Sequence, residues 1–469
     1  MILRAALLAL LLALAQPAAV WAAAYSDAFT APNGGLGASW ATNLDVGGGT
    51  GGAITIVSNR AEATATDTNG NAFARFETAL STTNQIVIAT VAVLGAGDRV
   101  GLVARMADPG TATFYNFLYA QGGGNAVIDK WESGSRTELA SAAMGTFSAG
   151  DKLMFVVNGT SLQGWKLVSG IWTQVVSVTN GDITTGTRAG VYAQFGSALD
   201  DWSANDIGIH RASGSAVANS TTTTLTLAAP AGVLGEDMLV ATILMKATTQ
   251  TITPPNGWTE RALLDNGPTM RSYVFTKQAT GTRGAASSDA SANFAFTKGT
   301  DDNLLWFGVI SDFGYVTAVD ATTPSESANA SSDDVTYATF TPTSEAVLIV
   351  LSGTYADDQT TAGSVSGSNP TLTNRVDVET NAGTDGSIFV YEGADFGKTA
   401  TGSRTHATTS TNNAVNNGIV LGLTHEAPIA VVRGGPPTRS LLGVGLCCCC
   451  CSGHSGSLSS RRSRRRTRT

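Results

Sequence analysis

The feature that most constrains this chain is a rhythm. Short runs of β-branched, aliphatic and aromatic residues recur, each closed by Gly, Asn, Asp or Ser. Ala53 to Val57, Asn84 to Leu94, Arg99 to Arg105, Thr113 to Tyr119, Ala126 to Trp131, Lys152 to Val157, Leu162 to Val168, Thr173 to Val178 and Arg188 to Phe195 follow this pattern. Runs of strand length between turn residues predict antiparallel sheets rather than helices. Charged residues make up only 14% of the chain and glycines number 53, a poor composition for helices. All five cysteines are consecutive, Cys447 to Cys451, so the body holds no disulfide and must be stabilised by burial. The fold class read from these features is all-β, with two tandem antiparallel β-sandwich domains of jelly-roll type.

Both ends of the chain differ from this body. Arg4 precedes the apolar run Ala5 to Ala15, which Gln16, Pro17 and small residues close at Ala22-Ala23-Ala24. A charged start, an apolar stretch too short to span a bilayer and an A-x-A-like site predict a secretory signal peptide, a short helix over residues 1–24. The mature chain is then expected to begin near Tyr25 and to be secreted or held at the cell surface. The first sandwich is assigned to 25–207, a linker to 208–214, the second sandwich to 215–425 and a disordered Pro/Cys/Arg tail to 426–469. That tail runs from Pro428, Pro436 and Pro437 through Leu441 to Leu446 and the cysteines to six arginines in the last nine residues. Its order resembles a C-terminal surface-anchoring signal, yet its apolar stretch is too short to cross a membrane. Without those arginines the chain carries 22 basic against 36 acidic side chains, a balance of −14. An acidic body argues against nucleic acid and anionic membranes as partners.

Tyr25-Ser-Asp-Ala-Phe-Thr, Gly35-Leu-Gly-Ala-Ser-Trp40, Val100-Gly-Leu-Val-Ala-Arg105, Ile128-Asp-Lys-Trp131 and Leu199-Asp-Asp-Trp202 stand in order along the first segment. Together they resemble the concanavalin A-like (laminin-G-like) jelly rolls of secreted bacterial and phage proteins. The resemblance implies a fold, places Phe29, Trp40 and Trp202 in its core, and implies no particular activity. Gly235-Glu-Asp-Met-Leu-Val-Ala241 and Thr253-Pro-Pro-Asn-Gly-Trp258 resemble a second sandwich module found beside adhesive or tail-associated domains of bacteria and phages. That resemblance carries no catalytic residues, and no repeat is read between the two segments.

Chemistry is sparse. Glycoside hydrolases of this jelly-roll type carry a Glu-x-Asp-x-x-Glu string on one strand, where alternate residues share a face, and no such string occurs here. The histidines, His210, His406, His425 and His454, form no HExxH, and the folded body has no cysteine to pair with a base. An enzyme is therefore not expected. Aromatics are the better signal, because sugar rings stack on flat aromatic faces beside amides and carboxylates. Tyr115, Tyr119, Trp131, Trp165 and Trp172, with Gln121, Asn125, Asp129 and Gln163 nearby, are the candidate ligand-binding residues. Asp27 and Asp201, near the ends of the first segment, are candidate oxygen ligands for a structural calcium ion. The expected function is lectin-like binding of a glycan or polysaccharide. A purely structural surface component and a polysaccharide-degrading enzyme with an unrecognised carboxylate pair are the alternatives.

Overall fold

The computed structural model describes residues 24–42, 52–65, 71–95, 99–107, 112–194, 196–282, 285–300, 303–332, 334–344, 346–356, 364–365, 370, 372–380, 386–396, 400–407, 414–425 and 429–430. The predicted signal peptide (but for Ala24), the cysteine run and the arginine tail lie outside them. No helix among the described residues is long and apolar enough to cross a membrane.

The all-β reading holds among the described residues. In the first segment, a ten-stranded sheet faces a seven-stranded one. The larger runs Ile171–Thr179, Ser161–Val168, Lys152–Asn158, Gln85–Val93, Ala198–Asp206, Ala61–Ala65, Ala53–Ile56, Gly34–Gly35. Ala24–Asp27 also pairs with Ala198–Asp206, and Ile429–Ala430 adds parallel to it. The smaller runs Ser135–Ala143, Asn125–Glu132, Phe114–Ala120, Arg99–Met106, Arg188–Gln194, Asn71–Phe76, Trp40–Ala41. Alternate side chains from both sheets interdigitate in one core that includes Phe117, Phe155, Val191 and Trp202. Packing there is tight enough that a Cβ on Gly164 would lie 2.3 Å from the Phe117 ring. Phe29, Trp40 and Trp202 are in this core, as the resemblance implies.

The rest of the chain departs from the expected organisation. Residues 209–213 of the expected linker form an edge strand, Ile209–Ser213, paired with Trp306–Gly314. Beyond it, the single expected module contains two pairs of sheets. One six-stranded sheet runs Ile209–Ser213, Trp306–Gly314, Met238–Met245, Met270–Gln278, Thr259–Asn266, with Val217–Asn219 also on Trp306–Gly314. It is accompanied by a three-stranded sheet of Thr224–Ala228, Asn293–Lys298 and Ile252–Thr253. The second six-stranded sheet runs Val316–Val319, Ala414–His425, Ala346–Tyr355, Gly386–Phe396, Thr373–Thr380, with Ser325–Ser332 also on Ala414–His425. Its companion is Val335–Tyr337, Arg404–Ala407 and Ser364–Val365.

The two pairs share one topology, strand for strand. They also share a defect: each has a bulge that leaves an arginine out of register, Arg261 in one and Arg375 in the other. Arg261 Nε donates to Thr276 Oγ1 at 2.7 Å, and Arg375 Nε donates to Glu392 Oε1 at 2.7 Å from the matching place. A bulge repeated with its residue marks a built feature, so residues 209–425 are a tandem duplication of one sandwich.

Each copy has its own core. Their six-stranded sheets meet in a third apolar layer that includes Val240, Leu244 and Val274 from one and Val350, Ile388 and Ile419 from the other. A strand buried on both faces reads as a continuous apolar run, which explains Met238–Met245 and the apolar stretch of Ala346–Tyr355.

Candidate functional site

Strand Phe114–Ala120 carries large side chains on both faces. Tyr115, Phe117 and Tyr119 point into the sandwich core, while Phe114, Asn116 and Leu118 face outward. Register extends that outward face across the seven-stranded sheet. Asn116 stands opposite Asp129 on one side and Val103 on the other, and Val103 opposite Gly190. One step along, Phe114 stands opposite Trp131, and on the far strands Tyr192 stands opposite Phe73. The result is an aromatic layer built from one sheet: Phe73 lies 5.2 Å from Phe114, 5.5 Å from Trp131 and 4.8 Å from Tyr192. Phe114 and Trp131 stack with their rings 22° apart.

Polar groups are set into this layer. Arg136 clamps Asp129 through both carboxylate oxygens, at 2.8 and 2.9 Å, and also lies 3.6 Å from Glu138. Burial pushes the Asp129 carboxyl up, and Arg136 pulls against that push. Tyr192 Oη donates to Asn71 Oδ1 at 2.8 Å. Asn116 differs from all of these. It is fully buried, and neither its Nδ2 nor its Oδ1 has a hydrogen-bond partner. Leaving such an amide unfilled costs about 1–3 kcal/mol per group. A side chain offering both donor N–H groups and an acceptor oxygen matches a sugar hydroxyl, which donates and accepts. The face is closed to solvent at rest, since Trp131 keeps 5% of its surface exposed.

The structure scatters the other candidate residues. Tyr115 lies in the core, donating to Asn180 Oδ1 at 2.6 Å and accepting from the Ile183 amide at 2.9 Å. Tyr119 also lies in the core, against Phe147. Trp165 and Trp172 belong to the opposite, ten-stranded sheet, in an apolar cluster with Phe396 of the third sandwich. Of the five aromatic candidates Trp131 alone reaches the outward face of the seven-stranded sheet, and Asp129 reaches it two residues earlier on the same strand. Phe73, Phe114, Asn116, Arg136 and Tyr192 are absent from the sequence-based set. The legible signal was Phe114–Ala120 itself, whose lack of polar alternation shows burial on both faces.

For calcium, Asp27 Oδ1 accepts from the Phe29 amide at 2.8 Å and Oδ2 from Trp40 Nε1 at 2.9 Å. Asp201 accepts from Thr90 at 3.4 Å. Among the described residues no group of three His, Cys, Asp or Glu side chains is placed to hold a metal ion. His210 Nε2 lies 2.8 Å from Ser213 Oγ, and the Glu392 carboxylate accepts from the His210 backbone amide at 2.6 Å.

No family model matches the chain, and no curated protein matches it. Solved structures do align with it. A carbohydrate binding module CBM66 from Bacillus subtilis is 13% identical, with 37% of this chain and 100% of that one covered and a TM-score of 0.29. The VIP36 exoplasmic/lumenal domain in its Ca2+-bound form is 14% identical over 40% of this chain and 92% of that one, at 0.30. The GH43 BlXynB protein from Bacillus licheniformis is 13% identical over 38% of each chain, at 0.28. Likeness at that level carries no functional argument.

Proposed function

We propose that this is an exported glycan-binding protein whose binding face is the outward surface of the seven-stranded sheet. The unfilled amide of Asn116 carries the reading, because a fully buried side chain with neither atom bonded needs a partner. Stacked Phe114 and Trp131 beside it supply the flat apolar surface that a pyranose or furanose ring covers, and the Asp129–Arg136 pair supplies directional polar contacts. Both Asp129 oxygens are held by Arg136, so the carboxylate is equipped to orient a hydroxyl rather than to transfer a proton. The rings are covered at rest, and binding requires the face to open to its ligand.

A screen of neutral and acidic polysaccharides against the chain from Tyr25 onward tests this, with Trp131→Ala as the control. Retention on at least one polysaccharide, reduced at least tenfold in the variant, is expected. A structural surface role is the second reading, favoured by the apolar layers that join the sandwiches. Absence of binding to every glycan tested would leave that reading standing.

A further inference from the structure

Because the second and third sandwiches share one plan, each is a control for the other. Matching their strand registers pairs Leu225 with Val335 (opposite Phe296 and His406) and Leu263 with Asp377 (opposite Tyr273 and Phe389). The same matching sets Leu227 against Tyr337, Phe275 against Tyr391 and Phe296 against His406. Four apolar positions around one core therefore become Tyr, Asp, Tyr and His in the other. Room for the change is made in the same place: Gly353 stands where the second sandwich has Ile243, and a Cβ there would lie 2.3 Å from Tyr337 Oη.

Three of the replaced side chains, Tyr337, Tyr391 and His406, are buried in the core, and Asp377 is half-buried on the neighbouring strand Thr373–Thr380. His406 is fully buried, its ring stacks on Phe389 at 4.1 Å, and its Nδ1 lies 2.5 Å from Tyr391 Oη. Its Nε2 has no partner, and neither has Tyr337 Oη. Phe296, in the equivalent place, packs in an apolar cluster, with the Phe275 ring at 5.5 Å and the Trp258 ring at 5.4 Å.

We infer that the third sandwich is an acid-operated element: the Tyr337–Asp377–Tyr391–His406 cluster lets it open as pH falls, while the apolar second sandwich stays closed. The groups around the imidazole are Asp334 and Tyr337 beside and on strand Val335–Tyr337, Tyr391 on Gly386–Phe396, Asp377 on Thr373–Thr380 and Arg404 on its own strand; Ser364–Val365 brings no charge. Burial lowers the imidazole pKa from 6.5 to about 4, with Asp334 pulling the other way. A lowered histidine contributes its stability above the unfolded value and loses it as pH falls from 6.5 towards 4. Over that window the open population rises by up to about 300-fold. Strand Gly386–Phe396 also brings Phe396 to the cluster around Trp165 and Trp172, so opening uncovers those rings.

Hydrogen-exchange mass spectrometry on the full chain at pH 7 and pH 4, corrected for intrinsic rates, tests the inference. Peptides covering Val335–Tyr337 and Arg404–Ala407 should lose protection by about 100-fold or more, and those covering Thr224–Ala228 and Asn293–Lys298 by less than about threefold. His406→Phe, which restores the residue of the second sandwich, should abolish the difference. Equal loss in both sandwiches, or an undiminished loss in the variant, would overturn the inference. Should the variant not fold, the wild-type chain labelled at its histidine ring carbons decides: a His406 resonance titrating near pH 6.5 in the folded state overturns the inference, and one silent above about pH 4.5 supports it.

Discussion

Thr242 and Ser352 occupy equivalent places in the second and third sandwiches, and they hydrogen-bond to each other at 3.0 Å. When matching residues of two copies touch, the copies are related by a local two-fold axis, as in an isologous dimer. The Ser272–Thr354 bond at 2.6 Å and the Asn417–Ser272 bond at 2.8 Å extend this polar seam through an otherwise apolar layer.

Replacing one partner leaves the other buried and unfilled. Thr242→Val or Ser352→Val alone is expected to cost about 1–3 kcal/mol, whereas the double variant should lie within about 1 kcal/mol of wild type. Denaturant unfolding of the four chains in a double-mutant cycle measures this. Additive losses would place the two hydroxyls in separate networks.

Asp312 makes stability fall as pH rises from about 4 to about 8. It is fully buried, and both its carboxylate oxygens lack partners. Burial, reinforced by Asp237 and opposed by Arg211, pushes its pKa from 3.8 up to about 8. A raised carboxyl favours the fold while protonated, so its contribution is intact below the unfolded value and is lost as pH rises towards 8. Asp312→Asn is expected to gain several kcal/mol over wild type at pH 8, roughly 1.4 kcal/mol for each pH unit between the unfolded and folded values, and almost nothing at pH 4. Melting curves at the two pH values check the sign.

Asp27 is a structural acceptor for Phe29 and Trp40. Asp27→Ala should destabilise the first sandwich by about 2–4 kcal/mol, because it leaves a buried indole N–H and a backbone amide unbonded. Calcium or chelator should shift melting of the wild type by less than about 1 °C. A rise of several degrees with calcium would contradict a purely structural role.

Trp172→Ala removes an aromatic from the cluster shared with Phe396. It should cost about 3–5 kcal/mol of stability and leave glycan affinity within about twofold. A larger loss of affinity at unchanged stability would return Trp172 to a binding role.

The fold class was legible because turn residues and apolar runs alternate along the whole chain. The site was only partly legible. In Phe114–Ala120 both faces are apolar, and nothing in the string says which parity faces the core, so Tyr115 and Tyr119 read as surface candidates while Phe114 and Asn116 passed unnoticed. Trp165 and Trp172 lie on strands with polar neighbours, as surface aromatics do, and the apolar cluster that buries them includes Phe396, far along the chain in the third sandwich. The duplication was hidden because its copies agree in topology while their cores diverge. Arg261 and Arg375, each displaced by a bulge, agree in type, but a bulge cannot be seen without its partner strand.

Glycan binding on the outward face depends on Asn116, and isothermal titration of a retained polysaccharide into wild type and Asn116→Leu measures that dependence. Leucine is close in size and fills the site without a donor or acceptor, so stability should be equal to or higher than wild type by about 1 kcal/mol. Affinity should fall by about 10- to 100-fold, the loss of one or two hydrogen bonds to the ligand. Unchanged affinity in a folded variant would contradict the claim and place the binding face elsewhere.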